Sequence, residues 1–261
     1  MRSLNIASTG MLAQQLNVEV ISNNIANLNT TGFKRQRAEF QDLLYQAQRR
    51  VGSNSSDAGT IVPAGVQIGV GVKAAAVYRI NEQGNVTKTD NALDVAIQGR
   101  GYFQIRMPDG TSAYTRAGSF QLSPTGEIVT ADGLTVEPGL TLPADMQGIT
   151  VNASGQVLAQ VAGQAQPQTV GTIELATFSN EAGLENLGDN LLAETPASGT
   201  PQTGAPGTIG FGKLQQGFLE TSNVNVVAEI TNLITAQRAY EMNSKVIQVS
   251  DEMSRTISTL R

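Results

Sequence analysis

The first hydrophobic pattern in the chain is helical. Positions 4, 7, 11, 14, 18, 21, 25 and 28 step alternately by three and four, and they hold Leu4, Ala7, Met11, Gln14, Val18, Ile21, Ile25 and Leu28. All but Gln14 are apolar, the a/d spacing of a coiled-coil seam. At 1.5 Å per residue the stripe would run about 36 Å. Glu19 is the only ionised residue between Ser3 and Thr31, so the outer face lacks the charge of an ordinary solvated helix. The rhythm then runs into Asn23, Asn24, Asn27, Asn29, Thr30 and Thr31, followed by Gly32-Phe33 and the cations Lys34, Arg35 and Arg37. This predicts a helix end between Asn27 and Thr31. Asn and Thr side chains would take up orphan backbone groups there, and Gly32 would adopt a positive φ.

The far end mirrors the first. From Ser222 onward there is neither Gly nor Pro, and Ser222 or Asn223 is the expected N-cap. One apolar stripe is Val226, Ile230, Leu233 and Tyr240; a second is Met242, Val246, Val249, Met253, Ile257 and Leu260. The apolar face drifts around the axis, so this helix should meet more than one neighbour.

Between the ends the period changes to two. Residues 66–220 are rich in Gly, Thr and Val, with short alternating runs. Pro108-Asp109-Gly110, Pro124-Thr125-Gly126 and Asp132-Gly133 read as turns between successive hairpins. Further strands are expected in GQVLAQVAG and VGTIELATF, before a Gly/Pro-rich return loop over 195–212. With no βαβ alternation a parallel α/β sheet is not expected. The fold class is therefore mixed α and β, segregated: N- and C-terminal helices with an all-β central domain inserted between them. Gly69-Val-Gly-Val-Lys-Ala74 matches a loose dinucleotide fingerprint, but strand-like residues follow it where that fingerprint needs a helix. Asp94, Asp109 and Asp132 are better explained as turn or strand-edge residues than as a catalytic pair.

Composition narrows the chemistry. The chain has no His, Cys or Trp, which removes Ser-His-Asp triads, Cys nucleophiles, disulfides and imidazole or thiolate zinc sites. The net charge of −5 is uneven. Residues 1–50 hold six cations against three acids and residues 221–261 hold four against four, leaving seven against fifteen between them. An acidic middle is a poor nucleic-acid surface. No stretch approaches the roughly 20 apolar residues of a membrane span, and polar residues interrupt anything like a signal-peptide core.

Three stretches carry a resemblance: LNVEVISNNIANLNTTGFKRQRAEFQDLLYQ (16–46), GFLETSNVNVVAEITNLITAQRAYEMNSKVIQVSDEM (217–253), and QGRGYFQI with DGTSAYTRAGSFQLSPTGEIVTADG between them. Together they resemble the axial proteins of the bacterial flagellum, in the rod and hook branch. The length and the segment after Tyr45 look most like its distal-rod members. The resemblance implies a structural subunit of the basal body, without catalysis, cofactor or metal. It would polymerise into a rigid hollow helical tube that is both drive shaft and export channel across the periplasm. Export would use the flagellar type III apparatus without a cleaved leader. Implied partners are other copies of the chain, proximal-rod and hook-side axial proteins at the two ends, and the surrounding peptidoglycan- and outer-membrane-ring proteins, with no nucleic acid and no membrane insertion. The alternatives are a proximal-rod or hook subunit or, in another class, a secreted enzyme acting on peptidoglycan.

On this reading residues 1–32 with 221–261 form the helical assembly domain of the inner tube, the N- and C-terminal helices pairing as a coiled coil. Residues 33–65 form an extended connector with a long hairpin or arm, and 66–220 the β-rich outer domain. Leu4, Ala7, Met11, Val18, Ile21, Ile25, Leu28, Val226, Ile230, Leu233, Tyr240, Met242, Val246, Val249, Met253, Ile257 and Leu260 make the assembly seam. Asn23, Asn24, Asn27, Gly32 and Phe33 make the helix exit and inter-subunit contacts. Arg49, Arg50, Thr60, Ile61, Val62 and Pro63 belong to a segment that stiffens the rod.

Overall fold

The computed structural model describes residues 2–49, 64–143, 145–164 and 166–259. Helix α1 spans Arg2–Ala26 and helix α2 spans Val226–Thr259, with short strands between them. The chain forms two compact units, Met1–Ile25 with Gln36–Tyr78 and Asn225–Arg261, and Ala26–Arg35 with Arg79–Val224.

In the first unit the two helices pair antiparallel in a fixed register. Ser250 Oγ donates to Ser3 Oγ at 3.3 Å, a Cβ on Gly10 would lie 2.9 Å from Asn243 Nδ2, and Asn24 Nδ2 donates to Glu229 Oε2 at 3.3 Å. Each advance of seven residues on α1 is matched by a retreat of seven on α2, which is the heptad of a coiled coil. At 1.5 Å per residue α2 is about 51 Å long. Its N-cap is Asn225, whose Oδ1 accepts from the Ala228 amide at 3.2 Å. Ser222 and Asn223, the expected caps, serve tighter local needs. Ser222 Oγ accepts from the Val224 amide, and Asn223 Oδ1 accepts from the Arg35 amide at 2.7 Å.

The same unit holds a two-stranded ribbon. Gln36–Asp42 pairs with Val72–Arg79, and Tyr45–Arg49 pairs antiparallel with Val66–Gly69, Tyr45 standing opposite Gly69. The bond from the Leu43 amide to Gly71 O at 2.8 Å makes the two ladders continuous. The ribbon is seated on α1, where Thr9 Oγ1 accepts from the Val72 amide at 3.3 Å. Gly71, with φ of 133°, lies so close to Thr9 that a Cβ would collide with the hydroxyl. That close approach is what the second glycine of the 69–74 motif provides, and a strand follows it.

The second unit is antiparallel β. Its largest sheet has nine strands, with Tyr102–Arg106 central between Ser112–Thr115 and Thr135–Val136. All three turn motifs read from the sequence join neighbouring strands of this sheet. A three-stranded sheet covers Met146–Val151, Gln156–Val161 and Gln168–Thr172. The return loop contains a strand, Gln202–Gly204, which pairs with Leu175–Thr177. The core gathers Val95, Ile97, Phe103, Ile105 and Phe120 among others, with the Phe103 and Phe120 rings edge to face at 5.0 Å.

Candidate assembly interface

The α1 seam positions all turn at least partly inward. Ala7 and Ile21 are buried, and Leu4, Met11, Gln14, Val18 and Ile25 are half-buried, while Leu28, also half-buried, falls beyond the end of the helix in the other unit. On α2 the inward row keeps Val226, Leu233 and Tyr240 of the first sequence stripe and departs from Ile230 and from the second stripe. It runs Val226, Glu229, Leu233, Ala236, Tyr240, Asn243, Ile247, Ser250, Ser254, again stepping by three and four, and all but Tyr240 are buried or half-buried. Five of its nine residues, Glu229, Ala236, Asn243, Ser250 and Ser254, are small or polar, and apolar periodicity passes over them.

Many other large apolar residues of α2 face out. Val227, Ile230 and Ile234 are exposed on the N-terminal half, and Met242, Val246, Val249 and Met253 on the C-terminal half, each between 44 and 76 % exposed. At 100° per residue these two stripes fall on opposite flanks of the inward row, roughly 100° apart. Tyr240, 43 % exposed, lines with Gln15, Val18 and Gln237 a groove of about 530 Å³ between the helices. The helix continues through position 257, while Leu260 lies outside the described residues.

At the end of α1 the structure gives Asn24 an intrachain task. It is 1 % exposed, its Oδ1 accepts from the Gln36 amide at 2.7 Å, and its Nδ2 donates to Gln36 O at 2.8 Å as well as to Glu229. Expected as an inter-subunit contact, Asn24 is consumed inside its own unit, because a buried amide must satisfy every polar atom. Asn23 is exposed, and Asn27 and Phe33 are half-buried. Thr30 Oγ1 donates to Asn27 Oδ1 at 3.0 Å beneath a backbone turn from the Thr30 amide to Asn27 O. These two side chains therefore meet each other as well as marking the turn.

Gly32 has the expected positive φ, 70°, and a second reason to be glycine: a Cβ would lie 2.7 Å from the Ala117 amide nitrogen. Its own amide donates to Glu220 O at 2.8 Å. This turn delivers Lys34 into a buried ion cluster that pattern reading did not find. Lys34 Nζ lies 2.6 Å from Glu220 Oε1, and Arg116 Nε 2.6 Å from Glu220 Oε2. Lys34 and Arg116 are 8 % exposed and Glu220 is 1 % exposed. Arg116 also donates to the carbonyls of Ile97, Gly99 and Gly101. Burial alone would raise the Glu220 carboxyl, but Arg116 and Lys34 outweigh it and hold it below its ordinary value. Burial pulls the Lys34 ammonium down, with Glu220 opposing. The partners are scattered through the sequence, so only the fold brings them together.

Of the segment expected to stiffen a rod, Arg49 closes the described part of the ribbon and is exposed, while Arg50, Thr60, Ile61, Val62 and Pro63 lie outside the described residues. The ribbon carries exposed Leu44 and Tyr45, at 85 and 59 %, beside Val66 and Ile68. Among the described residues no group of three or more His, Cys, Asp or Glu could hold a metal ion, and no helix is long and apolar enough to cross a membrane.

Zipped terminal helices, uncovered apolar flanks and an inserted β unit define a protein whose chemistry is that of packing surfaces. Comparison with known proteins agrees. Residues 4–34 match the family of flagella basal body rod proteins, 96–159 the D1 domain of flagellar hook protein FlgE/F/G, and 215–260 the C-terminal family of flagellar basal body rod FlgEFG proteins. The flagellar basal-body rod protein FlgG of Caulobacter vibrioides is 61 % identical over the whole of both chains. That of Agrobacterium fabrum is 54 % identical over 99 % of this chain and 98 % of its own. The flagellar hook-basal body complex protein FlhP of Bacillus subtilis is 31 % identical over the whole of both. The chain belongs to the flagellar basal-body rod protein family, as a structural rod subunit of the FlgG type.

Proposed function

We propose that the chain is the distal-rod subunit, polymerising into a straight hollow tube that carries torque and passes export substrates, and that it catalyses no reaction. The observation that carries this reading is the pair of uncovered apolar stripes on opposite flanks of α2. Seven large apolar side chains exposed along one helix exceed the scattered exposure of ordinary surfaces. Two different flanks suit a heterologous contact, which repeats into an open helical assembly rather than a closed dimer. The seam residues of α1 hold each hairpin together, and the α2 stripes, with Asn23, Asn27 and Phe33, meet neighbouring copies. Proximal-rod and hook-side proteins continue the same contacts at the tube ends, ring proteins surround it in the periplasm, and the type III apparatus exports the chain.

The distal assignment rests on the ribbon. An arm reaching an axial neighbour resists the sliding of layers by which a tube bends, and exposed Leu44, Tyr45, Val66 and Ile68 give it an apolar grip. Electron microscopy of the purified chain tests both points. Straight open-ended tubes are expected, with curved or pliable tubes after deletion of residues 47–65. Discrete rings would sink the rod reading, and equally stiff tubes from the deleted chain would sink the distal one. Release of muropeptides from peptidoglycan by the pure chain would revive the enzyme.

A further inference from the structure

Beside the ion cluster, within the β unit, lies a polar pocket of about 200 Å³ lined by Lys34, Arg116, Arg100, Tyr102, Gln83 and Glu181, with Asn81 and Gly99. Arg100 stands at its rim, its side chain 64 % exposed, donating to Glu181 Oε1 at 3.2 Å. Arg79 packs behind Glu181, donating to the carbonyls of Glu181 and Leu184. Four cations thus converge where two carboxylates answer them, Glu220 and Glu181.

The rest of the unit has the opposite character. Residues 26–35 and 79–224 hold eight cations and fourteen acids. With the pocket set aside, four cations face twelve acids. The pocket is an island of excess positive charge on a unit whose remaining surface is acidic. Glu220 matches the buried Lys34 and Arg116, whereas Arg100 stands open to solvent beside Glu181, and opposite patches on one molecule are matched by stacking copies. We propose that the pocket receives an exposed carboxylate from a neighbouring copy of the chain, bound between Arg100 and the Lys34–Arg116 pair. The inference rests on the rod-subunit reading and names one of its contacts. It explains how units of like net charge lie side by side in a polymer.

The test is the critical concentration for polymerisation, read by sedimentation, with thermal unfolding as a check on folding. Arg100 is exposed, so its variants should fold. Arg100→Gln should raise the critical concentration about tenfold and Arg100→Glu further, while Arg100→Lys, keeping the charge, stays near wild type. Inorganic phosphate should compete, raising it in the wild type and having little effect on Arg100→Glu. Wild-type behaviour of Arg100→Glu would overturn the proposal. So would phosphate that stabilises the subunit without impeding polymerisation, which would make the pocket a site for a free anion. If Arg100→Glu polymerises normally beside a normal wild type, only this contact is lost; if the wild type forms no polymer, the rod reading and this contact fall together.

Discussion

Asn24 on α1 and Glu229 on α2, 205 residues apart in the chain, share a hydrogen bond from Nδ2 to Oε2 at 3.3 Å. Both are buried, at 1 and 4 % exposure. The layers at Ser3–Ser250 and Gly10–Asn243 are equally small or polar. An apolar layer tolerates a slip along the helices, whereas a buried amide opposite a carboxylate has one satisfactory register. Polar residues at seam positions commonly fix register at some cost in stability.

Asn24→Ala should therefore loosen the hairpin by about 2–3 kcal/mol, since it strands the Gln36 backbone pair and deprives Glu229 of a donor. Chemical unfolding of the assembled protein followed by helical circular dichroism measures it. Combining it with Glu229→Ala should cost less than the two single losses together. Additive losses would show that the pair does not act as a unit.

Gly32→Ala and Gly110→Ala separate conformation from space. Both glycines have positive φ, 70° and 83°, but a methyl group on Gly110 would meet nothing within 4 Å, whereas one on Gly32 would face the Ala117 amide at 2.7 Å. Gly110→Ala should cost roughly 1 kcal/mol. Gly32→Ala should cost clearly more, because backbone must move and the bond from its amide to Glu220 O is strained with it. Equal thermal shifts for the two would refute the crowding at Gly32.

The ion cluster gives the β unit a pH dependence of known sign. Glu220 has a folded pKa below its ordinary 4.5, through Arg116 and Lys34 acting against its burial. Its contribution is therefore complete above 4.5 and is lost as pH falls through the depressed folded value. Glu220→Gln should destabilise by about 3–5 kcal/mol at neutral pH, leaving two buried cations without their carboxylate. The gap to wild type should narrow on acidification below 4.5. A gap that is constant with pH would mean that Glu220 is not the ionised centre of the cluster.

Charge on the outer flank of α2 should act differently from charge on the inner face of α1. Val249→Asp or Met253→Asp should abolish tubes while the soluble subunit keeps its helical content, since these side chains are 44 and 54 % exposed. Ile21→Asp, at a site 5 % exposed, should also lower helicity, because it buries a carboxylate within the hairpin at a cost of several kcal/mol. Tube formation by Val249→Asp and Met253→Asp alike would show that the C-terminal stripe faces solvent in the assembly.

Local rules make much of this protein readable. Helix α1 ends at Ala26 because Asn and Thr follow it and only Gly32 can take the turn. The strands around Asp109, Gly126 and Gly133 form where turn chemistry sits between alternating runs. Residues 66–78 are harder to place: their β pattern matches the central domain, yet they pack with the helices, because a ribbon's partner lies elsewhere in the chain.

The sequence by itself determined two helical ends and a β middle and excluded imidazole and thiol chemistry, since periodicity and turn residues act at short range and the chain has no His or Cys. Only the tertiary structure decided which face of α2 turns inward. Seven of its large apolar side chains face out, and Glu229, Ala236, Asn243 and Ser250 face in beside Leu233 and Ile247, because close helix contact and a single register favour small or hydrogen-bonding groups at those layers. The tertiary structure likewise joined Lys34, Arg116 and Glu220, whose attraction depends on distance in space and on exclusion of water, neither of which is written along the chain.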